Sequence, residues 1–441
     1  MEKQVERFDT LISGATLLTM DPQRRIIEDG ALGIRGEKIA WVGTQSELPE
    51  DFETKERLEM PGKVLMPGLI NTHGHIPMTL FRGFVHDVAL EGWLAKIWKV
   101  EAQTVSEENV EAGVELALVE MLRSGTTAAA DMYFQFLTVC QTTSKAGFRL
   151  FNGPSFAVIP GFEPKKNVYY EAALEMLDKV KGYPLVHPCV QAHSAYTASL
   201  PMLEEIARIK TERNLIFVTH AAESKGEMKQ VRELYNQTPI EVLDTIGLLD
   251  RHTLLAHGVH LGDTDLDLLA ERDTSIAHCP QSNLKLASGI ARVAEMLKRG
   301  INVSLGTDGP ASNNDLDLFH EAQTAALVQK GVSMDPTALP AEEVVAMLTI
   351  NGARSFGLED QLGSLEVGKL ADLAVLDFGS ANLTPCYDLY AHLVYSVSAH
   401  DVCHTMVNGR WLMRDRKLLT LDEEAIKAKV RKIAREIGGI R

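Results

Sequence analysis

The sequence predicts an α/β protein: a (β/α)8, TIM-like barrel carrying a small composite β-sandwich built from both ends of the chain. Three observations predict it. The first is the stretch Asn71-Thr72-His73-Gly74-His75, directly after the apolar run Val64-Leu65-Met66-Pro67-Gly68-Leu69-Ile70. The second is that three later runs share its form, strand-like and apolar with a polar, metal-competent residue at the end. They are Leu215-Ile216-Phe217-Val218-Thr219-His220 with Glu223 following, Thr253-Leu254-Leu255-Ala256-His257, and Val303-Ser304-Leu305-Gly306-Thr307-Asp308. Functional residues at the C-terminal ends of several parallel strands are how such a barrel builds a site. The third is a change of texture, with strands and turns at both ends and alternating strands and helices between them.

In chain order, residues 1–63 read as short strands at 10–20, 31–34 and 38–42, with a turn at Arg35-Gly36-Glu37, and form the first part of the sandwich. Residues 64–361 form the barrel, with strand ends at His73, Asp131, Gly153, His193, His220, His257, His278 and Asp308. A helix over 106–123 opens with Ser-Glu-Glu, an N-cap and an acidic first turn, and carries Val110, Val114, Ala117 and Met121 on one face. A further helix over 341–356 lies beyond the eighth strand. Residues 362–441 return to strand texture at 371–377 and 404–411 and close with a charged amphipathic helix over 422–437. That the two ends pair into one β domain is inferred from this symmetry of texture.

Composition narrows the function. A length of 441 residues allows two or three domains, and 45% apolar with 24% charged residues is ordinary for a globular protein. The net charge of -16 argues against nonspecific attraction to nucleic acid or to an anionic membrane. No stretch reads as a signal peptide or membrane span, so a cytoplasmic location is expected. Five cysteines, odd in number and without a Cys-x-x-Cys pair, read as reduced and mostly buried thiols.

Two imidazoles separated by one residue project from the same face of an extended strand, so His73 and His75 make a bidentate metal clip. His220 adds a third neutral nitrogen donor and Asp308 a carboxylate oxygen. A catalytic zinc site typically has three or more protein ligands and a position for water, which then ionises near neutral pH. Asp308 is suited to take the proton of that water, Glu223 to act as a second acid or base on the substrate side, and His257 to direct the attacking oxygen. Asp308 in Gly306-Thr307-Asp308-Gly309 reads equally as a turn residue. His193 and His278 read equally as satisfied core histidines, and His86, His187, His252, His260, His320, His392, His400 and His404 read as structural or surface groups. Competing motifs are absent: His320-Glu321 is followed by Thr324 where a zincin helix needs histidine, and no nucleophile elbow, P-loop, dinucleotide fingerprint or cytidine-deaminase pattern occurs.

Pro67-Gly68-Leu69-Ile70-Asn71-Thr72-His73-Gly74-His75, the His220-x-x-Glu223 pair, Ala256-His257-Gly258-Val259-His260 and Gly306-Thr307-Asp308-Gly309 resemble the amidohydrolase superfamily, over residues 8–415. Met78-Thr79-Leu80-Phe81-Arg82-Gly83, Ser282-Asn283-Leu284-Lys285-Leu286 and Ser312-Asn313-Asn314 resemble its deaminase and chlorohydrolase branch, most closely the 5'-methylthioadenosine/S-adenosylhomocysteine deaminases. The resemblance implies one zinc per subunit, with Fe2+ or Mn2+ as substitutes, a homo-oligomer (dimer or tetramer), and a small-molecule substrate: an aminated heterocycle that loses ammonia by hydrolysis. On this reading water attacks C6 of adenine, Glu223 protonates the adjacent ring nitrogen, and Asp308 passes the water's proton to the departing amine.

Two-metal relatives carry a bridging lysine or carboxylate at the end of strand four; His193 stands there, which favours a single metal and leaves His193 to contact the ring. The resemblance also maps a ring-packing wall onto Trp93 and the ribose-diol partner onto Glu101, although Glu101 reads equally as an ordinary exposed glutamate at a helix start. Relatives that grip a homocysteine tail have arginines after strand three. Leu150-Phe151-Asn152-Gly153-Pro154-Ser155-Phe156 has none, and Lys165 and Lys166 are point charges without the guanidinium fork. Methylthioadenosine, adenosine or 5'-deoxyadenosine is therefore favoured over S-adenosylhomocysteine. The alternatives are a deaminase or chlorohydrolase of guanine, a pterin or an s-triazine, and a barrel that serves as a non-catalytic scaffold.

Overall fold

The computed structural model describes residues 6–157 and 169–438. Eight parallel strands form the barrel, in the order Leu69–Asn71, Thr126–Ala130, Arg149–Asn152, Val186–Ser194, Ile216–Ala221, Thr253–His257, Ser275–His278 and Val303–Leu305, each hydrogen-bonded to the next. A two-residue strand, Ser155–Phe156, pairs with the fourth. First and eighth strands meet just past their ends, where Thr72 N donates to Leu305 O and Asp308 N to His73 O, both at 3.0 Å, and Gly74 bridges Asp308. Asn71 and Thr307 lock this seam, Nδ2 to Oγ1 at 2.7 Å and Thr307 N to Oδ1 at 3.0 Å.

Below the mouth the barrel is filled by Ile70, Ala128, Phe151, Cys189, Val218, Leu254 and Ala277, with Ala353, Phe356 and Leu362 from the segment after strand eight. Burial of this apolar layer, at roughly 25 cal/mol per Å² removed from water, fills the interior beneath the mouth.

The terminal strands form one nine-stranded sheet. Its seam is the antiparallel pairing of Leu373–Asp377 with Lys63–Pro67, which joins the two ends of the chain. The long strand Glu6–Leu18 changes partner along its length: residues 6–13 pair with Phe52–Glu59, and Thr16 and Leu17 pair with Val64 and Leu65. Gly14, between the two pairings, has a φ of +76°, which glycine adopts at little cost.

Several segments differ from the sequence reading: the strand Phe52–Glu59 was not expected, and 404–411, read as one strand, is a hairpin of Val402–Val407 and Arg410–Arg414. The apolar run 64–70, read as one strand, is two: Lys63–Pro67 belongs to the terminal sheet and Leu69–Asn71 to the barrel, with Gly68 between them. A Cβ on Gly68 would lie 2.2 Å from the Thr127 side chain, so the chain can cross from one layer to the other only without one. The helix expected over 341–356 is broken into Ala341–Leu348 and Ile350–Ser355 at Thr349 (φ -129°, ψ -92°), whose hydroxyl donates back to Val345 O at 2.7 Å. The helices Glu107–Arg123, with Ser106 accepting from Asn109 N, and Glu423–Gly438 lie where the sequence puts them. Cys140, Cys189 and Cys279 are buried, Cys403 is half-buried and Cys386 exposed, all as free thiols. Among the described residues no helix is long and apolar enough to cross a membrane.

Sheet and barrel are joined by a buried, bidentate ion pair. Arg149 Nε and Nη2, on the third barrel strand, donate to Asp372 Oδ2 and Oδ1 at 2.9 and 3.0 Å, and Asp372 Oδ1 also accepts from Asn408 N at 2.7 Å. Both side chains are nearly inaccessible, at 2% and 4%. Removing one partner of such a pair strands a buried charge, so Arg149→Met is expected to lower stability by about 3–5 kcal/mol, read as a shift in the urea unfolding midpoint. A shift below about 1 kcal/mol would show that the junction does not depend on this pair.

Candidate active site

The polar end of the barrel is organised by tautomers. His75 Nδ1 donates to Met132 O (2.5 Å) and His220 Nδ1 donates to His193 O (2.6 Å), so the neutral form of each ring carries its lone pair on Nε2. These two Nε2 atoms face each other at 3.2 Å. Asp308 Oδ1 lies 3.3 Å from His75 Nε2 and 3.6 Å from His73 Nε2, and the buried His73 Nε2 has no hydrogen-bond partner. His73, His75 and Asp308 thus offer ligand atoms within 4.8 Å of one another, as do His73, His220 and His257.

Burial opposes charge on His75, yet the Asp308 carboxylate raises its pKa to about 9. The space between these groups therefore favours a positive charge, from a proton or a cation. Three convergent lone pairs, one anionic oxygen and carbonyl anchors behind two of the rings are a donor set that fits a divalent metal.

His73 and His75 lie beyond the end of the strand rather than on it, and the Gly74–Asp308 bridge continues the extended backbone that keeps both imidazoles on one side. Asp308 has a left-handed backbone (φ +58°), as do Ala222 (φ +54°) and His257 (φ +77°), an unfavourable conformation for residues with a Cβ that clusters at functional sites. Asp308 Oδ2 accepts from two hydroxyls, Ser282 Oγ at 2.5 Å and Ser312 Oγ at 2.9 Å, which turns Oδ1 toward the imidazoles. Burial works against its ionisation, but the neighbouring His73 and His75 imidazoles hold its pKa well below the ordinary carboxylate value.

Glu223 behaves oppositely. Burial, then the charges of Asp308, Glu227 and Glu91, raise its pKa well above the usual value, which favours the protonated carboxyl. Its Oε2 lies 3.7 Å from His257 Nε2, whose ring is oriented by Asn283, Nδ1 donating to Oδ1 at 2.8 Å.

A cavity of about 560 Å³ opens over these groups. His75, His193, His220, Glu223, His257 and Asp308 face it at one end, and Trp93, Trp98, Tyr133, Phe134, Phe136, Phe156 and Met176 wall it. Trp93 and Glu101 share one face of the helix Leu90–Thr104, where Trp93, Ile97 and Glu101 recur every four residues. Glu101 is fully buried in the last turn, not exposed at a helix start. Burial pushes its pKa up to about 7, against the hydrogen bond that Tyr133 OH donates to Oε1 at 2.6 Å, and Oε2 has no partner. His193 Nδ1 bonds Thr197 Oγ1 at 3.0 Å and its ring packs edge-on to Trp98, 5.7 Å between centroids. His278 is buried with Nδ1 unpartnered and does not line the cavity. Lys165 and Lys166 lie outside the described residues.

The structure therefore brings together all nine residues singled out from the sequence, eight around the cavity and His73 beside it. It adds Tyr133, Ser282, Asn283, Ser312 and Glu227, to which sequence reasoning gave no role. Ser282, Asn283 and Ser312 stand in stretches that carried the resemblance; Tyr133 and Glu227 had no such signal beyond closeness to Asp131 and His220.

Comparison with known proteins agrees with this architecture. The amidohydrolase family model matches residues 64–412. A 5-methylthioadenosine/S-adenosylhomocysteine deaminase of Syntrophobacter fumaroxidans is 41% identical over 98% of this chain and 99% of its own. A 5'-deoxyadenosine deaminase of Methanosarcina mazei is 39% identical over 97% and 98%. The crystal structure of an adenosine deaminase from Xanthomonas campestris with bound zinc superposes with a TM-score of 0.96 at 33% identity, covering 99% of this chain and 100% of that one. With matches of this length in both sequence and fold, the chain belongs to the amidohydrolase family, whose members are typically metal-dependent hydrolases.

Proposed function

We propose that this chain hydrolytically deaminates an adenosine-type nucleoside, releasing ammonia and the inosine analogue. The observation that carries the reading is the placement of two buried carboxyls at one cavity end in opposite surroundings: Asp308 Oδ1 lies 3.3 and 3.6 Å from the His75 and His73 imidazoles, which favour its ionised form, and Glu223 lies among other carboxyls, which favour its protonated form. Such a divided pair marks an acid and a base.

His73, His75, His220 and Asp308 would hold one divalent ion, assigned as zinc with Fe2+ or Mn2+ as substitutes. When bound, that ion supplies Lewis acidity that brings the pKa of water toward neutrality. Glu223 gives its proton to the ring nitrogen beside the amine-bearing carbon, which makes that carbon electrophilic. His257, with Nε2 left as acceptor by the bond to Asn283, directs the attacking water. Asp308 takes one proton of the water and returns it to the amine, which leaves as ammonia, and as the hydroxyl left on the carbon becomes the carbonyl its proton restores Glu223. Trp93 packs against the ring and His193 contacts its edge. Glu101, with an unpartnered oxygen beside the cavity, accepts from the ribose diol. The far wall of Phe134, Phe136, Phe156 and Met176 favours an apolar 5' substituent, since no arginine or lysine is among the described lining residues. This supports methylthioadenosine, adenosine or 5'-deoxyadenosine over S-adenosylhomocysteine.

The decisive experiment assays ammonia release from methylthioadenosine, adenosine, 5'-deoxyadenosine, S-adenosylhomocysteine, guanine and melamine, alongside metal analysis. Turnover of the first three with about one zinc per chain is expected; turnover confined to guanine or melamine, or no metal, would refute the reading. Glu223→Gln should keep its metal while kcat falls about 10²–10⁴-fold, and an unchanged kcat removes Glu223 as the acid. Glu101→Ala should raise KM for nucleosides by about 10–100-fold, the worth of hydrogen bonds to a charged group, with metal content unaltered. An unaltered KM would remove the diol contact.

A further inference from the structure

The turn after the fifth strand is held in a shape that its own residues do not favour. Ala222, between His220 and Glu223, has a left-handed backbone (φ +54°) that a residue with a Cβ rarely adopts. Two consecutive amides of this turn end on a single side chain: Ala222 N donates to Glu227 Oε1 at 3.0 Å, and Glu223 N to Glu227 Oε2 at 2.7 Å. Glu227 is 3% exposed. The loop after strand six holds the same turn from the other side, Gly258 N donating to Ala221 O at 3.1 Å and His260 N to Ala222 O at 2.8 Å.

Helix capping does not account for these bonds. Ser224 already caps the helix Lys225–Tyr235 by accepting from Glu227 N at 3.0 Å. In a capping box the third helical residue reaches back to the amide of the cap itself, whereas this carboxylate extends to the two residues before it.

We infer that Glu227 is a positioning residue for the deamination: by accepting from the amides of Ala222 and Glu223 it fixes the turn that aims the Glu223 carboxyl into the cavity. The inference rests on the reading of Glu223 as the acid, and the test separates the two. Wild type, Glu227→Gln, Glu227→Asp and Glu223→Gln are compared on methylthioadenosine and on its 6-chloropurine counterpart, with kcat, KM and zinc per chain measured for each. Gln keeps one acceptor oxygen but turns an NH2 toward one of the amides; Asp keeps the charge but is too short to span both, and serves if the Gln variant does not fold. The chlorine-bearing ring carbon is already electrophilic, so attack on it depends less on protonation of the ring nitrogen by a well-aimed acid.

Glu227→Gln is expected to keep its zinc and its KM within about twofold, to lose about 10²-fold in kcat for the amine, and to lose less than about tenfold for the chloride. Glu227→Asp should show the same selectivity at smaller amplitude. Equal losses on both substrates, a raised KM at preserved kcat, or unchanged amine turnover would mark Glu227 as merely structural. Selective loss in Glu223→Gln with none in the Glu227 variants overturns the positioning role alone. Full amine turnover in Glu223→Gln overturns the acid assignment, and the proposal with it.

Discussion

The mouth of the barrel depends on one repulsion. Carbonyl acceptors at Met132 and His193 take the Nδ1 protons of His75 and His220, which leaves two Nε2 lone pairs facing each other at 3.2 Å. Two such atoms in a buried place repel unless a positive charge lies between them. Asp308 Oδ1, 3.3 Å from His75 Nε2, deepens that requirement. The carbonyls belong to residues at the ends of the second and fourth strands, so strand pairing sets the tautomers before any ligand arrives. Fold and electrostatics are thus one constraint: the register that closes the barrel also builds a place that calls for a cation.

The same economy governs the two carboxyls. Glu223 and Asp308 are both buried, and burial raises the pKa of each. What divides them is their neighbours. Asp308 receives two serine hydroxyls on one oxygen and faces imidazoles with the other, whereas Glu223 faces the carboxyls of Asp308, Glu227 and Glu91. The division comes from the loops after strands five, seven and eight, each of which supplies part of the surroundings of a residue from another strand. Left-handed backbone at Ala222, His257 and Asp308 is the conformational cost of bringing these loops together.

What was legible in the sequence follows from this arrangement. Strand-end residues were legible because an apolar run of strand length announces its own end, and His73, His220, His257 and Asp308 each close or follow such a run. The eight barrel strands and the joining of the termini were legible for the same reason, as texture. The break at Gly68 was not, because it depends on Thr127, a residue distant in sequence that occupies the space a Cβ would need. The burial of Glu101 was not, since whether a glutamate on an amphipathic helix is exposed or buried depends on what packs over it, here Tyr133 from the second strand. Ser282 and Ser312 lie 26 and 4 residues from the carboxylate they hold, and nothing in local pattern reports such a contact.

Three unpartnered polar atoms at this end of the barrel are placed where a ligand can satisfy them. A buried polar group without a partner costs about 1–3 kcal/mol. His73 Nε2 lies at the imidazole cluster, while Glu101 Oε2 and Trp93 Nε1 belong to residues that line the cavity. Two buried charges elsewhere in the barrel are satisfied at close range, Arg149 by Asp372 and Lys210 by Leu248 O, Asp250 and Thr253, while His278 Nδ1, Asn302 Oδ1 and Glu359 Oε2 are also unpartnered. Glu101 Oε2 and Trp93 Nε1 stand beside one apolar-walled space, where a ligand can supply the missing partners and offset their desolvation. The low-dielectric walls that make the open atoms costly also strengthen each bond a ligand forms with them.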